Sequence, residues 1–378
     1  MKTVNIGIIG GGLMGKEAAG AFGRWFTLND FPVSVALTAV CDLNEQVLEW
    51  YKSVPTVKLL TTDYQELLRN PDIDVVYVAL PHHLHCKFYL EVLEAGKDLL
   101  GEKPFGMGLE DSLAIKAAAE ASGRFVRCSS EMPFLPGPQR VIREVQSGRL
   151  GQVIEIRAGF LHSSDIDPEK PLNWKRQVKF CGEIGVMGDL GMHVLHVPLR
   201  LGWKPKTVYA QLQRIITERP DGKGGRAACD TWNNAILNTT VEIDGHNIPM
   251  TLETKRIAPG ETNTWYIEVL GTKGGVRYST KETKTLWTFR LDADDQLWQR
   301  TDLGFKGVPF PTVTGGIFEP GFSDCFMQML AAYVAERAGE LKGRFGCVTP
   351  QEALESHYVF AAALKSFANQ TVEKVTYE

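Results

Sequence analysis

The 378-residue sequence contains no run approaching the roughly 18 consecutive apolar residues that would mark a membrane span. It also lacks a CxxC pair, an internal repeat and any low-complexity tract. Its seven cysteines, Cys41, Cys86, Cys128, Cys181, Cys229, Cys325 and Cys347, are odd in number and widely spaced. That disfavours a disulfide scaffold or a structural zinc site and predicts reduced thiols. Positive charge is nowhere concentrated: 41 Lys and Arg are dispersed among 45 Asp and Glu, for a formal net charge of −4. Neither nucleic acid nor an anionic membrane surface is an expected partner, which leaves a small molecule. The opening MKTVNIGIIGGG has no basic n-region and no small-residue cleavage site, so it reads as a first β-strand and not a signal peptide. With reduced cysteines, a cytoplasmic location is expected.

In the first third, β-rich apolar runs alternate with amphipathic ones. VNIGIIG precedes a helix from about Met14, VALTAVCD a helix over Glu45 to Lys52, IDVVYVALP a helix over Leu84 to Ala95, and DLLGEKP a helix over residues 109–121, before a strand in RFVRCSS. Strict alternation of this kind predicts a parallel sheet with right-handed crossovers. Beyond about residue 130 the pattern changes. A helix from Gly137 to Ser147 and the strand GQVIEIRAGF lead into an irregular segment, and then into TVYAQLQRII, NAILNTTVEI, IPMTLETKRI, TWYIEVLGT, GGVRYS and TLWTFRL. Short turns such as EIDGHN and GTKGG join these strands, which predicts a mostly antiparallel sheet. Helices over Phe322 to Ala338 and Pro350 to Ala368 follow. The fold class is therefore α/β, with a domain of residues 1–128 built on a parallel sheet and a second α/β domain of residues 129–378.

Between the first strand and the first helix lies Gly10-Gly11-Gly12-Leu13-Met14-Gly15, a GxGxxG in the strand–turn–helix context that dinucleotide binding requires. Glycines permit the tight turn and the approach of backbone to pyrophosphate, which meets a helix N-terminus. Asp42, ending the second strand, is suited to the adenosine ribose hydroxyls. The following LNEQ offers no cation for a 2′-phosphate, so NAD is expected over NADP. Gly10, Gly12, Leu13, Met14, Gly15 and Asp42 are the expected contacts to this cofactor.

Two further motifs carry titratable groups. GEKPF places Glu102 and Lys103 at the carboxyl end of a predicted strand, where open α/β sheets bind ligands. CGEIGVMGDLGMHVLH, residues 181–196, spaces Asp189, His193 and His196 by four and three, which puts them on one face if the segment is helical. Such a face fits either three metal ligands or proton chemistry.

With the loop LPHHLH at 80–85, AGKDLLGEKP at 95–104 and GDLGMH at 188–193, the chain resembles the Gfo/Idh/MocA family of sugar and polyol dehydrogenases along nearly its whole length. The segment DPEKPLNWKRQ is most similar to members acting on pyranosides, the levoglucosan dehydrogenase kind included. The resemblance implies an N-terminal Rossmann domain, a C-terminal domain whose open sheet joins subunits into a homodimer or homotetramer, and a catalytic group of Lys103, Asp189 and His193. It also brings Leu80, Pro81, His82, His85, Glu102 and Lys103 to the cofactor. His193 is then the general acid/base, Asp189 its orienting partner and Lys103 the donor to a developing alkoxide. A lysine of lowered pKa could share the base role.

Lys103, Asp189 and His193, joined by Glu131, Trp174, Lys175 and His196, are the expected substrate contacts, and no metal is expected. Two positions depart from the family: His196 stands where Asp is common, and in SSEMPF Glu131 and Pro133 stand at the usual Asn and Arg. The function implied is hydride transfer between NAD and a secondary hydroxyl of a cyclic sugar, glycoside or inositol. The alternatives are a redox-neutral, NAD-retaining glycoside-processing enzyme and a non-catalytic sensor.

Overall fold

The computed structural model describes residues 3–292 and 295–378. Six strands, β1 (Thr3–Ile9), β2 (Ser34–Cys41), β3 (Leu59–Thr61), β4 (Val75–Val78), β5 (Asp98–Gly101) and β6 (Val126–Cys128), form one sheet in the order β3-β2-β1-β4-β5-β6. Every pairing in it is parallel. The crossovers carry helices α1 (Leu13–Gly23), α2 (Glu45–Tyr51), α3 (Tyr64–Arg69), α4 (His85–Glu94) and α5 (Leu109–Ser122). A sheet covered on both faces buries continuous apolar runs, and VVYV of β4 is wholly buried. Strand order reverses between β1 and β4, so the carboxyl ends of these two strands flank the crevice where such sheets bind ligands.

The second half comprises α6 (Pro136–Gln146), β7 (Val153–His162), α7 (Val178–Cys181), α8 (Val186–Arg200), β8 (Pro205–Gln213), β9 (Glu218–Pro220), β10 (Arg226–Ala228), β11 (Asn234–Ile243), β12 (His246–Lys255), β13 (Asn263–Gly271), β14 (Gly274–Ser279), β15 (Thr285–Asp292), β16 (Asp295–Asp302), α9 (Phe322–Arg337), α10 (Pro350–Asn369) and β17 (Glu373–Lys374). Nine of these strands form a sheet ordered β16-β15-β14-β13-β7-β12-β11-β8-β17, antiparallel except for β12 beside β7. Period-2 burial along β12, with Ile248, Met250 and Leu252 inside, turns one face toward α8. The last helices return to the first sheet: α9 packs on α1 and α10 on α5. Arg337 pairs with Asp98 at 2.7 Å and Arg127 with Glu336 at 2.6 Å across this junction.

Residues 186–196, expected to be irregular, belong to a 15-residue helix. Val186 to Leu199 is buried on every side, so no polar face alternates with an apolar one and the helical period is hidden. Gly185 opens this helix at φ 52°, a conformation that glycine adopts without penalty. The exposed edge strand β16, DQLWQRTD, carries no alternation to mark it in the sequence, because its apolar pair Leu297 and Trp298 is adjacent and flanked by polar residues.

Candidate active site

The glycine loop is shaped by contacts that leave no room for side chains. A Cβ on Gly10, whose φ is +100°, would lie 2.3 Å from the Ala79 carbonyl oxygen, and one on Gly15 would lie 2.4 Å from that of Gly10. At Gly12, by contrast, an added Cβ would meet nothing within 4 Å among the described residues, so space lies open over the loop. Gly12 caps α1 without a side-chain hydrogen bond, which leaves the first N–H groups of an 11-residue helix for an anion. Two groups hold the loop from behind: Tyr51 donates to the Gly11 carbonyl at 3.0 Å, and Gly11 N–H donates to Asp42 Oδ2 at 2.9 Å. Asn44 N–H donates to the other Asp42 oxygen at 2.9 Å. Each carboxylate oxygen retains a lone pair, and Asp42 is partly exposed at the end of β2. An uncapped helix end, open space over Gly12 and an acid directly after β2 fit a dinucleotide.

Beyond the loop a cavity of about 650 Å³ is lined by Leu13, Met14, Leu80, Pro81 and His82, and then by Lys103, Glu131, Trp174, Lys175, Asp189, His193 and Arg256. Asp189 is its electrostatic centre. Lys103, from the turn after β5, donates to the Asp189 carbonyl at 2.6 Å and to Oδ1 at 3.1 Å. Lys175 donates to the same Oδ1 at 2.9 Å, and Arg256 donates to Oδ2 at 3.2 Å. Burial alone pushes the Asp189 carboxyl up, but Lys175, Lys103 and Arg256 outweigh it and hold the group well below the usual carboxylate range. Burial also pushes the Lys103 ammonium down, and Asp189, Glu102 and Glu131 more than offset this, so Lys103 is raised above its ordinary value. Lys175 differs: burial, with Lys103 and Arg256 adding to it, outweighs Asp189 and leaves it lowered.

One helical turn after Asp189, His193 accompanies it on the cavity wall. Its Nδ1 lies 3.3 Å from Ser130 Oγ and 3.8 Å from Glu131 Oε2, while Trp265 Nε1–H donates to its carbonyl at 2.8 Å. Burial, with Lys103 next, holds the imidazole well below its ordinary pKa, so it is neutral at pH 7. Burial and the neighbouring Glu102 push the Glu131 carboxyl up to about 7. Glu102 is fixed beneath Lys103, with one carboxylate oxygen accepting from Tyr77 and from Ser129, each at 2.6 Å.

Besides the loop residues Gly10, Gly12 and Gly15 and Asp42 beside them, two of the expected contacts, His85 and His196, fall outside the cavity lining. His85 is fully buried, with Nδ1 2.7 Å from the Pro104 carbonyl and Nε2 2.8 Å from that of Leu80. It ties the loop after β4 to the loop after β5 and acts on a cofactor only through them. His196 packs between the rings of Phe345 and Phe134, at 4.7 and 6.3 Å, and burial lowers it to about 3. It is a core histidine. The spacing does place it near the face shared by Asp189 and His193, but spacing says nothing of which element covers that part of the helix. Among the described residues no group of three His, Cys, Asp or Glu side chains is placed to hold a metal. His82 remains at the site, edge-on to Trp174 at 4.8 Å.

Arg256, His162 and Arg176 belong to the site without any motif in the sequence to mark them. Arg256 follows β12 and meets Asp189 across 67 residues of chain, and no local motif announces it. His162 ends β7 on the cavity wall, lowered by burial to about 4. Arg176, buried against Asp165, and Arg219, which donates to the carbonyls of Asp165 and Asp167, together fasten the segment that carries Trp174 and Lys175.

Residues 4–129 match the model of an oxidoreductase family with an NAD-binding Rossmann fold, Gfo/Idh/MocA, and residues 139–277 match the Gfo/Idh/MocA C-terminal domain. Levoglucosan dehydrogenase of Pseudarthrobacter phenanthrenivorans is 26% identical over 313 residues, 80% of each chain. Solved structures of levoglucosan dehydrogenase superpose over 99% of this chain and 100% of theirs. The complex with NADH does so with a TM-score of 0.87 at 22% identity, and the complex with NADH and levoglucosan with 0.86 at 23%. With both of its halves matched, the chain belongs to the Gfo/Idh/MocA family of oxidoreductases.

Proposed function

We propose that the protein is an NAD-dependent dehydrogenase acting on a secondary hydroxyl of a cyclic sugar, glycoside or inositol. The observation that carries this reading is the convergence of Lys103, Asp189 and His193 in one cavity that opens onto the glycine loop. Bound NAD supplies C4 of its nicotinamide as the hydride acceptor. The chain's own residues handle the proton. Asp189 keeps Lys103 protonated, so its ammonium is a donor to the substrate oxygen as negative charge develops there. His193, neutral, takes the hydroxyl proton, and Glu131 beside its Nδ1 offsets the charge that the ring gains. This favours His193 over Lys103 as the base. Trp174 offers a flat apolar face to a sugar ring.

In the same reading the chain divides into a Rossmann domain, 1–128, and a substrate domain, 129–378, in a cytoplasmic enzyme. The uncovered face of the nine-stranded sheet, with Tyr266, Arg277 and Trp287, is the subunit contact of a homo-oligomer. Purified protein with NAD or NADP and a panel of monosaccharides, inositols and glycosides, followed by nicotinamide absorbance, tests the activity. No turnover by any of them would remove the dehydrogenase reading, and product formed without added cofactor would replace it with redox-neutral chemistry.

Exchanging Asp42 for Ser together with Leu43 for Arg should shift the ratio of kcat/KM for NAD over NADP by tenfold or more toward NADP, about 1.4 kcal/mol. An unchanged ratio in a folded variant would count against Asp42 at the ribose.

Glu131 yields a pH signature. Activity should rise with pH through about 7 as its carboxylate forms, and Glu131→Gln should flatten that limb. The folded state holds this proton more tightly than the unfolded chain. Its contribution to stability is therefore complete below pH 4.5 and lost by about pH 7, on the order of 3 kcal/mol. Thermal unfolding of Glu131→Gln across this range should lack that decline, and identical pH profiles for variant and wild type would refute the assignment.

A further inference from the structure

The charges around Asp189 do not balance. One carboxylate receives Lys103, Lys175 and Arg256. Glu102, which also accepts from Tyr77 and Ser129, and Glu131, beside His193, add their charge at Lys103, which leaves Lys175 and Arg256 to share Asp189. Arg176 is matched by Asp165, but Lys170, whose ammonium donates to the Ser164 carbonyl at 2.8 Å, adds a further cation to the wall that pairs with no acid among the described residues.

Arg256 sharpens the imbalance. It is 1% exposed, donates from Nε to Asp189 and from Nη1 to the Lys175 carbonyl at 3.0 Å, and its buried Nη2 has no partner among the described residues. His162 Nε2, buried on the same cavity wall, is likewise without one. An open buried donor is costly, and an uncompensated buried charge is costlier still. On a cavity wall, an anionic ligand would complete such groups.

Resting on the dehydrogenase reading above, the geometry points to a substrate whose ring carries a carboxylate, a sugar acid of the uronate type, seated at Arg256, Lys175 and His162 while its reacting hydroxyl meets Lys103 and His193. Arg256 Nη2 and His162 Nε2, in the tautomer that carries its proton there, are open donors for a carboxylate, and Arg176 Nη1 and His82 Nδ1 on the same lining residues are also without partners among the described residues. Lys175, half-buried and already sharing Asp189 with two other cations, gains a second counter-charge when the carboxylate arrives.

The test uses the full chain with NAD and matched pairs of compounds: glucose and glucuronate, galactose and galacturonate, mannose and mannuronate, with glucose 6-phosphate as the phosphate arm. The uronate should exceed its neutral parent in kcat/KM by tenfold or more in at least one pair, and Lys175→Met should reduce that ratio about tenfold. A neutral parent equal to or better than its uronate in every pair overturns the inference and leaves the dehydrogenase reading intact. A preference for glucose 6-phosphate over every uronate overturns the carboxylate assignment. If nothing turns over, calorimetric titration of the protein with NADH present decides. Tighter binding of a uronate than of its parent upholds the carboxylate site although the dehydrogenase reading has failed, and equal or no binding overturns both.

Discussion

Lys103→Ala and His193→Ala should each lower kcat by roughly 10²-fold or more, the usual scale of general acid–base catalysis, while NADH affinity stays within a few-fold. The separation of the two effects follows from the layout of the site. The dinucleotide-fitting features are the Gly10 to Gly15 loop, the open end of α1 and Asp42, all held by Tyr51 and by backbone. Lys103 and His193 sit deeper, on Asp189 and Ser130. The His193 contact to Trp265 runs through its backbone carbonyl, so alanine leaves it in place. Steady-state kinetics beside fluorescence titration with NADH distinguishes the outcomes. A near-normal kcat with raised KM would reduce either residue to a binding role, and lost NADH affinity would make it structural.

Asp189→Ala should destabilise the fold by about 3–5 kcal/mol, the scale seen when one partner of a buried ion pair is removed. Three cations would then remain in the cavity wall without their shared counter-charge. The sign with pH is set by the two shifts. The folded carboxyl of Asp189 is depressed, so its contribution is present above the unfolded pKa of roughly 3.9 and lost as pH falls through the folded value. The Lys103 ammonium is raised, so its contribution is complete below roughly 10.4 and lost as pH rises through its folded value. The gap between variant and wild type should therefore be widest across the neutral range. Scanning calorimetry at pH 7 reads it, and an unchanged melting temperature would show that the cluster is held for chemistry alone.

What the sequence makes legible is what local chemistry writes into it. GxGxxG after a strand, Asp42 at the next strand end, Lys103 before a proline and the Asp189–His193 spacing each identify themselves within a few residues, and the structure brings Lys103, Asp189 and His193 within one cavity. Long-range partners leave no such trace. Arg256 reads as the end of an ordinary strand until β12 and α8 are packed together. The histidines show the opposite failing. His85 and His196 stand in clusters that look chemical, yet one clamps two backbone carbonyls and the other fills a space between phenylalanines. Helical spacing reports which side chains share a face, and only the covering elements decide whether that face meets ligand or core.

The return of the last two helices to the first sheet has a consequence in time. The face of α5 that α10 covers, and the face of α1 that α9 covers, are made early and closed late. About 230 residues separate α5 from α10, and at about 5–20 residues per second their synthesis occupies roughly 10–45 s. During that interval Asp98 and Arg127 lack the partners that Arg337 and Glu336 will bring. The dinucleotide half of the molecule thus emerges from the ribosome first, and reaches its finished surface only when nearly all of the chain has followed it.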